Sequence, residues 1–150
     1  MRMREFSRSL PMALLRAREA VMAEFRPILA AHDITEQQWR VLRALVDEPA
    51  GLGVGRLAEM TFLLGPSVSR IVAALQARGL VARAGVDHDG RRAVLTVTAA
   101  GVRLYESIAP ASESAYARVE ERFGAKQLDQ LYRLLDQLTA SQRTSPESRS

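Results

Sequence analysis

The segment from residue 65 to 78 of this 150-residue chain combines small, hydroxylic and basic side chains in a helical pattern. At about 100° per residue, the larger apolar residues cluster on one side of the predicted helix: Val68, Ile71, Val72 and Leu75. The opposite side carries small residues, hydroxyls and one arginine, namely Pro66, Ser69, Arg70, Ala73 and Ala77, with Ser67 at its edge.

This outward side could enter the major groove of DNA, because small side chains let the helix backbone approach closely. Serine hydroxyls can bond to phosphates or base edges, and Arg70 can pair with guanine or with a phosphate. The alternative is an ordinary solvated face. Such faces usually carry several Glu and Lys, and the first three turns of this helix carry neither. The pattern therefore favours a DNA-binding helix.

A second basic feature comes next, in a predicted β-hairpin whose strands cover about residues 81–86 and 94–97. Its tip places Arg91 and Arg92 beside Asp89 and Gly90. A flexible loop with two arginines can reach a narrow minor groove, where the negative potential attracts guanidinium groups. Asp89 could orient Arg91 through a local ion pair. Taken alone, a polar turn with incidental charges explains the tip equally well.

Arg18 lies within the apolar stripe of a predicted first helix, flanked by Leu14, Leu15 and Met22. A charge on a stripe that packs needs a partner. That partner could be the carboxylate of a bound ligand, through bidentate pairing. It could equally be a Glu or Asp from another helix or from a second subunit.

Three further residues are candidates for the same effector site. Arg16 points roughly opposite Arg18 and could reach across a dimer. Trp39 could form an apolar wall of a pocket or simply belong to the core, and Arg40 lies beside it. The effector-binding prediction therefore comprises Arg16, Arg18, Trp39 and Arg40.

Patterns that indicate catalysis or metal binding are missing from the sequence. It has no Ser/His/acid, Cys/His or Gly-rich phosphate-loop arrangement. The acidic pairs at 47–48 and 120–121 are neighbours in sequence, so their side chains diverge on a helix. His32 and His88 are far apart, and the chain has no Cys. We therefore expect no catalytic residue, no metal and no cofactor, and a protein that is not an enzyme.

The composition is that of a helical protein outside the membrane. Hydrophobic residues make up 47% of the chain and aromatic residues only 5%, so the core must consist largely of aliphatic side chains. The formal net charge of +4 permits phosphate binding, although a preference for Arg codons would explain it as well. No apolar run reaches the roughly 18 residues of a membrane span, and the N-terminus is a poor signal peptide. We expect a cytoplasmic protein that does not bind membranes.

Hydrophobic spacing predicts six helices and the hairpin. Thr35 and Gln38 form a predicted capping box, Gly79 comes directly after the fourth helix, and Thr98 caps the fifth. A kink is expected where Pro27 interrupts the first helix. The predicted helices cover about residues 6–31, 36–46, 54–62, 65–78, 99–122 and 126–140.

The run from residue 37 to 101 resembles the MarR family of winged-helix regulators. GPSVSRIV at 65–72, with Leu75, GLV at 79–81 and Arg83, is similar to the family's recognition helix and first wing strand. DHDGRR at 87–92, together with LTVT at 95–98 and Gly101, is similar to its wing signature. Segments at 9–11, 14–22, 35–43, 63–67 and 105–110 are similar to repressors of homoprotocatechuate (4-hydroxyphenylacetate) degradation operons.

The resemblance implies a mainly α fold with a small β-hairpin wing, in which a winged helix-turn-helix at 35–98 is flanked by dimerisation helices at 6–31 and 99–140. One domain would cover 1–140, with a disordered tail at 141–150. A homodimer would bind pseudo-palindromic double-stranded DNA. Ser67, Ser69 and Arg70 would face the major groove, with Pro66 and Ala73 on the same side.

By the same resemblance, Arg91 would enter the minor groove, with Asp89 bracing it and Arg92 near the backbone. A small aromatic acid would release the DNA, and the regulator would repress an aromatic-acid catabolic operon. Two alternatives stay open: a winged-helix module that binds protein, and a MarR-type regulator of other targets such as efflux or stress genes.

Overall fold

The computed structural model describes residues 1–86 and 93–143. In this part of the chain, helices dominate and one two-stranded antiparallel hairpin is present, which confirms the predicted fold class. The elements are a 3-10 helix Phe6–Arg8, α1 Leu10–Met22, α2 Arg26–Ala30, α3 Glu36–Asp47, α4 Val54–Thr61, α5 Gly65–Ala77, β1 Val81–Val86, β2 Ala93–Val97, α6 Ala99–Phe123 and α7 Ala125–Ser141.

The predicted helix over 6–31 is wrong as a single element. It is divided into a 3-10 turn, α1 and α2, with a turn at residues 23–25. Pro27 lies in the first turn of α2. Because proline has no N–H and its ring clashes with the carbonyl four residues earlier, it favours a kink or a break in a helix, and here the helix is interrupted just before Pro27. Pro11 lies in the first turn of α1, where proline is tolerated.

The capping box that begins α3 is confirmed. The Thr35 hydroxyl accepts a hydrogen bond from the Gln38 backbone N–H at 3.1 Å, and the Gln38 side chain accepts one from the Thr35 backbone N–H at 3.0 Å. Two helix N–H groups that would otherwise lack partners are thereby satisfied. The start of α3, and with it the position of Glu36 in its first turn, is fixed by local sequence.

The core lies between α3, α4, α5 and the hairpin. Its fully buried large side chains are Val41, Leu42, Leu45, Leu57, Val68, Val72, Leu75, Leu95 and Ile108. Three of these belong to α5 and are among the four residues that the helical pattern placed inward, and the fourth, Ile71, is partly buried against the same core. Burial of this stripe determines which residues of α5 face outward.

The end of α5 is bonded to the start of α6. Gly79, at φ 71°, ends α5 in the left-handed conformation, as predicted. Thr98 donates from its hydroxyl to the Gly79 carbonyl at 2.6 Å and accepts from the Gly101 N–H at 3.1 Å. The predicted Thr98 cap is thus confirmed, and it ties the two helices together across the hairpin.

The hairpin pairs Val81 with Val97 and Arg83 with Leu95, and its register shifts between Arg83 and Val86. Leu52, in the loop after α3, forms an isolated β-bridge with Leu95, with hydrogen bonds of 2.9 and 2.8 Å. The base of the hairpin is therefore joined by backbone hydrogen bonds to the helical core.

The chain divides into two compact units, residues 1–112 and 113–150. The first contains α1 to α5 and the hairpin. The second contains the end of α6 and, after Gly124 at φ 104°, helix α7. The single domain at 1–140 and the disordered tail stay predictions. Helix α7 extends through Ser141, and residues 144–150 lie outside the described part of the chain.

Among the described residues, no single helix is long and apolar enough to cross a membrane. The pair α4 and α5 passes the same test by length and composition only, and the two helices are bent by 105° at the break between them.

We expect Gly101→Ala to lower the free energy of unfolding by about 1–3 kcal/mol, because overpacking is destabilising. An added Cβ would lie 2.3 Å from the Leu80 carbonyl oxygen and 2.6 Å from a Val97 methyl. Alanine's better helix propensity would offset at most about 1 kcal/mol. Gly55→Ala is the matched control, since a Cβ there meets nothing within 4 Å. Urea denaturation at equal protein concentration measures both; equal stabilities for the two variants would contradict the packing argument.

Candidate nucleic-acid interface and effector cluster

Helix α5 presents the outward face that the sequence pattern predicts. Pro66, Ser69, Arg70 and Ala73 are exposed, and Ser67 is half-buried at the edge of the face. The only side-chain contact described among them is a long one, 3.4 Å from Arg70 Nη2 to the Ser67 hydroxyl. The face is therefore open to a ligand along its whole length.

The chain segment that contains α5 carries one sign of charge. Residues 60–86 include Arg70, Arg78 and Arg83 and no acidic residue. The first turn of α5 contains Pro66 and no acid, so its free backbone N–H groups face no competing carboxylate. A polyanion such as DNA is the kind of ligand that this helix can accept.

The predicted wing-tip residues Asp89, Arg91 and Arg92 lie outside the described residues. Their roles therefore stay predictions. The structure describes the two strands that lead to the tip, with Gly85 at φ 127° just before it.

Two arginines hold the ends of α5. At the C-terminal end, Arg78 donates to the carbonyls of Asp33 at 2.6 Å and His32 at 3.4 Å. Before the N-terminal end, Arg40 donates to the carbonyl of Thr61 at 2.9 Å. Both contacts join the α4–α5 region to residues of the α2–α3 segment.

Two of the four effector candidates, Arg18 and Arg40, meet at a carboxylate that the sequence analysis did not single out. Glu36, whose side chain is only 11% exposed, forms ion pairs with Arg18, with Arg26 at 3.1 Å and with Arg40 at 2.9 Å. The first two partners lie 18 and 10 residues away in sequence. Of the three ion pairs, only Glu36–Arg40 could have been predicted from the sequence, because residues four apart lie side by side on a helix.

Of the two partners considered for Arg18, the structure describes an acid from another helix. Glu36 takes that place, while Glu19 lies 3.9 Å from Arg18 and 2.7 Å from Arg26. Three arginines and two glutamates leave this group of five, the arginine cluster, with a net charge of +1. Most of the positive charge in the cluster is neutralised by the two glutamates. The remaining positive charge can attract an anion.

The protonation equilibria of the cluster reflect these contacts. Burial lowers the pKa of Arg18, and the nearby charge of Arg40 lowers it further. Hydrogen bonds from Arg26 lower the pKa of Glu19, and the same bonds raise the pKa of Arg26. Both members of the Glu19–Arg26 pair are therefore held in their charged forms.

The remaining two candidates lie apart from this cluster's ion pairs. Arg16 donates to the Ser7 carbonyl at 2.9 Å, so it fastens the 3-10 turn to α1. Trp39 is buried and stacks on Tyr105 of α6, with ring centroids 5.6 Å apart at 21°. Tyr105 was not predicted, because no local pattern links it to a residue so far away in sequence.

No group of three or more His, Cys, Asp or Glu among the described residues is placed to hold a metal ion. His32 makes a 3.0 Å contact from its Nδ1 to the Ile28 carbonyl oxygen, and His88 lies outside those residues.

A three-helix centre, α3 to α5, whose third helix has an exposed, acid-free face, together with an attached hairpin, defines a winged-helix DNA-binding protein. The MarR family model matches residues 32–92. The homoprotocatechuate degradative operon repressor of Escherichia coli is 39% identical over 132 residues, which cover 88% of each chain. The regulator FarR of Neisseria gonorrhoeae is 39% identical, over 87% of this chain and 88% of its own. The chain belongs to the MarR family of transcriptional regulators.

The comparison with solved structures agrees. NadR in complex with 4-hydroxyphenylacetate is 38% identical, with a TM-score of 0.77, and the match covers 92% of this chain and 97% of that chain. Because the family comprises regulators of transcription, the predictions of a DNA-binding regulator and of a protein that is not an enzyme are confirmed.

We expect Glu19→Gln to reduce the acid sensitivity of folding. Because the pKa of Glu19 is lowered in the folded protein, its pair with Arg26 stabilises the fold above the unfolded pKa of about 4.3. That stability is lost as the pH falls through the lower folded value. Urea denaturation at about pH 7 and about pH 3.5, at fixed protein concentration, should show a smaller difference for the variant than for the wild type. An unchanged difference would contradict the expectation.

Proposed function

We propose that this chain is a homodimeric repressor of an aromatic-acid catabolic operon, released from its operator by a small aromatic carboxylate. The observation that carries the DNA-binding part is the exposed, acid-free face of α5. The relatives and the cationic arginine cluster support the choice of effector.

The proposed DNA contacts are based on the outward face of α5. Pro66, Ser67, Ser69, Arg70 and Ala73 face the major groove, where Arg70 is the one side chain long enough to pair bidentately with a guanine. Arg91 enters the minor groove beside Asp89, with Arg92 at the backbone. In a dimer, two such helices lie about one helical turn apart, so the operator is pseudo-palindromic.

Dimerisation is supported by apolar side chains that a single chain leaves uncovered. Helix α1 buries none of its residues, and it exposes Leu10, Leu14, Leu15 and Val21. Helix α7 also buries none, and it exposes Leu131, Tyr132 and Leu134. Continuous apolar stripes of this kind mark a protein–protein interface.

The effector carboxylate is proposed to bind at the arginine cluster, where Arg18 is half-exposed and carries a guanidinium that suits bidentate pairing. Trp39 lies one turn from Glu36 on α3 and supplies the aromatic wall. Arg16 is proposed to contribute from the opposite side of α1, as predicted. Arg40 has both ends of its guanidinium engaged within the protein, so its part in the site is through Glu36.

A regulator of different target genes is the second candidate. The identity to FarR equals that to the homoprotocatechuate operon repressor, so identity alone does not select the target. Either role places the protein in the cytoplasm with the DNA.

The deciding experiment measures binding of the chain to its own promoter region at two salt concentrations, with and without 4-hydroxyphenylacetate and homoprotocatechuate. We expect tight, salt-sensitive binding that at least one acid releases. Binding that neither acid affects would retain the DNA-binding regulator and exclude this effector class. If no neighbouring promoter is bound specifically, the protein-interaction module is favoured.

We expect Arg70→Ala to weaken operator binding by about 5- to 150-fold, the loss of about 1–3 kcal/mol for one bidentate base contact. Fluorescence anisotropy at two salt concentrations separates the possible contacts. A lost phosphate contact lowers the salt slope by about 1, while a lost base contact relaxes specificity at one position. The control is Arg133→Ala on α7, which removes the same charge outside the proposed face. Equal effects of both variants would argue against direct contact by Arg70.

We expect the double variant Leu14→Glu, Leu15→Glu to be monomeric at concentrations where the wild type is a dimer. The two side chains are 41% and 47% exposed in the single chain, so the charges cost the folded monomer little but oppose burial in an interface. Light scattering gives the molar mass, and circular dichroism verifies that the helices persist. A folded dimer with normal operator affinity would exclude α1 from the interface.

A further inference from the structure

We propose that Arg40 is the positioning residue that couples the arginine cluster to the DNA-binding helix α5. The proposal deepens the proposed function and rests on it, since it assigns the route by which an anion at the cluster changes DNA affinity. The effector-binding side is the cluster around Glu36, and the responding element is the turn between α4 and α5.

One guanidinium makes both contacts. Arg40 Nη2 donates to Glu36 Oε1 at 2.9 Å, and Arg40 Nη1 donates to the Thr61 carbonyl oxygen at 2.9 Å. Because the guanidinium is rigid and planar, it cannot change its geometry at the carboxylate without also moving at the carbonyl. A rearrangement of the Glu36 carboxylate therefore also changes the hydrogen bond from Arg40 to the Thr61 carbonyl.

Thr61 is the last residue of α4, and only residues 62–64 separate it from α5. Phe62 adopts the left-handed conformation at φ 56°, which is unfavourable for a bulky residue. Its side chain is 91% exposed and that of Leu64 is 77% exposed, whereas Leu63 between them packs against the core. The bond from Arg40 to the Thr61 carbonyl therefore acts beside the packing of Leu63 as a restraint on the turn that leads into α5.

The same carboxylate is shared by Arg18 and Arg26. A ligand carboxylate that accepts hydrogen bonds from Arg18 competes with Glu36 for the same donor. The Glu36 carboxylate then moves toward its remaining hydrogen-bond donors, one of which is Arg40. In the proposed coupling, the turn between α4 and α5 shifts when Arg40 follows Glu36, and the ligand binds the shifted arrangement more tightly than the arrangement described here, which is what coupling to DNA release requires.

Arg78 provides the matched control. It also holds α5 by donating to backbone carbonyls, those of Asp33 and His32, but it has no described contact with Glu36. Lysine at either position retains the positive charge and the attraction to DNA but loses the two-armed donor. A general loosening of α5 would affect both lysine variants alike, whereas coupling through Arg40 affects only one.

The first measurement is the ratio of the operator Kd with saturating 4-hydroxyphenylacetate to the Kd without it. For the full-length wild type, we expect a ratio of about 5 to 150. For Arg40→Lys, we expect a ratio below about 3, while Arg78→Lys keeps the wild-type ratio even if its operator binding is weaker. A wild-type ratio in Arg40→Lys, or an equal loss in both variants, would overturn the proposal.

The second measurement needs no effector. Glu36→Gln removes the carboxylate charge, and we expect it to change operator affinity at least about 5-fold in the wild-type background and less than about 2-fold in Arg40→Lys. Equal effects in both backgrounds, or no effect in either, would overturn the coupling. Calorimetry with the wild type and 4-hydroxyphenylacetate tests the effector class separately. Failure to bind would contradict the proposed effector and leave the Glu36→Gln comparison as the test of Arg40.

Discussion

The burial of one side of α5 is the constraint on which the rest of this structure depends. Val68, Val72 and Leu75 are fully buried against the core around α3, and a helix that buries one stripe must expose the opposite one. The exposed side then consists of Pro66, Ser69, Arg70 and Ala73. The face that we propose contacts DNA is thus a geometric consequence of core packing.

Helix α5 and its exposed face could be predicted from the sequence, because the residues that define the helix are close together in the chain. Proline in the first turn, glycine after the last and an apolar repeat between them define α5 without reference to other elements. The capping box at Thr35 and Gln38 and the cap at Thr98 are local in the same sense. The break in the first helix was only half predicted, because Pro27 was expected to kink the helix and instead lies where one helix has ended and another starts.

The arginine cluster could not be predicted in the same way. Arg18 and Glu36 are far apart in sequence and on different helices, so their pairing depends on how α1 and α3 pack. The position of Arg18 on an apolar stripe indicates that Arg18 needs a charged partner, but it does not identify that partner. The stacking of Trp39 on Tyr105 is likewise tertiary, since the two rings come from α3 and α6. Packing between distant helices supplies what local patterns omit.

The β-bridge at Leu52 has a consequence for the operator. Its two backbone hydrogen bonds to Leu95 join the base of the hairpin to the loop after α3, and Gly51 at φ 97° allows an approach that a Cβ, 2.4 Å from Val94, would prevent. Because α3 also packs against α5, the base of the hairpin is linked through the core to the helix that we propose contacts DNA. In the proposed complex, the fold then sets the spacing between the two DNA contacts within a half-site, and the dimer sets the spacing between half-sites.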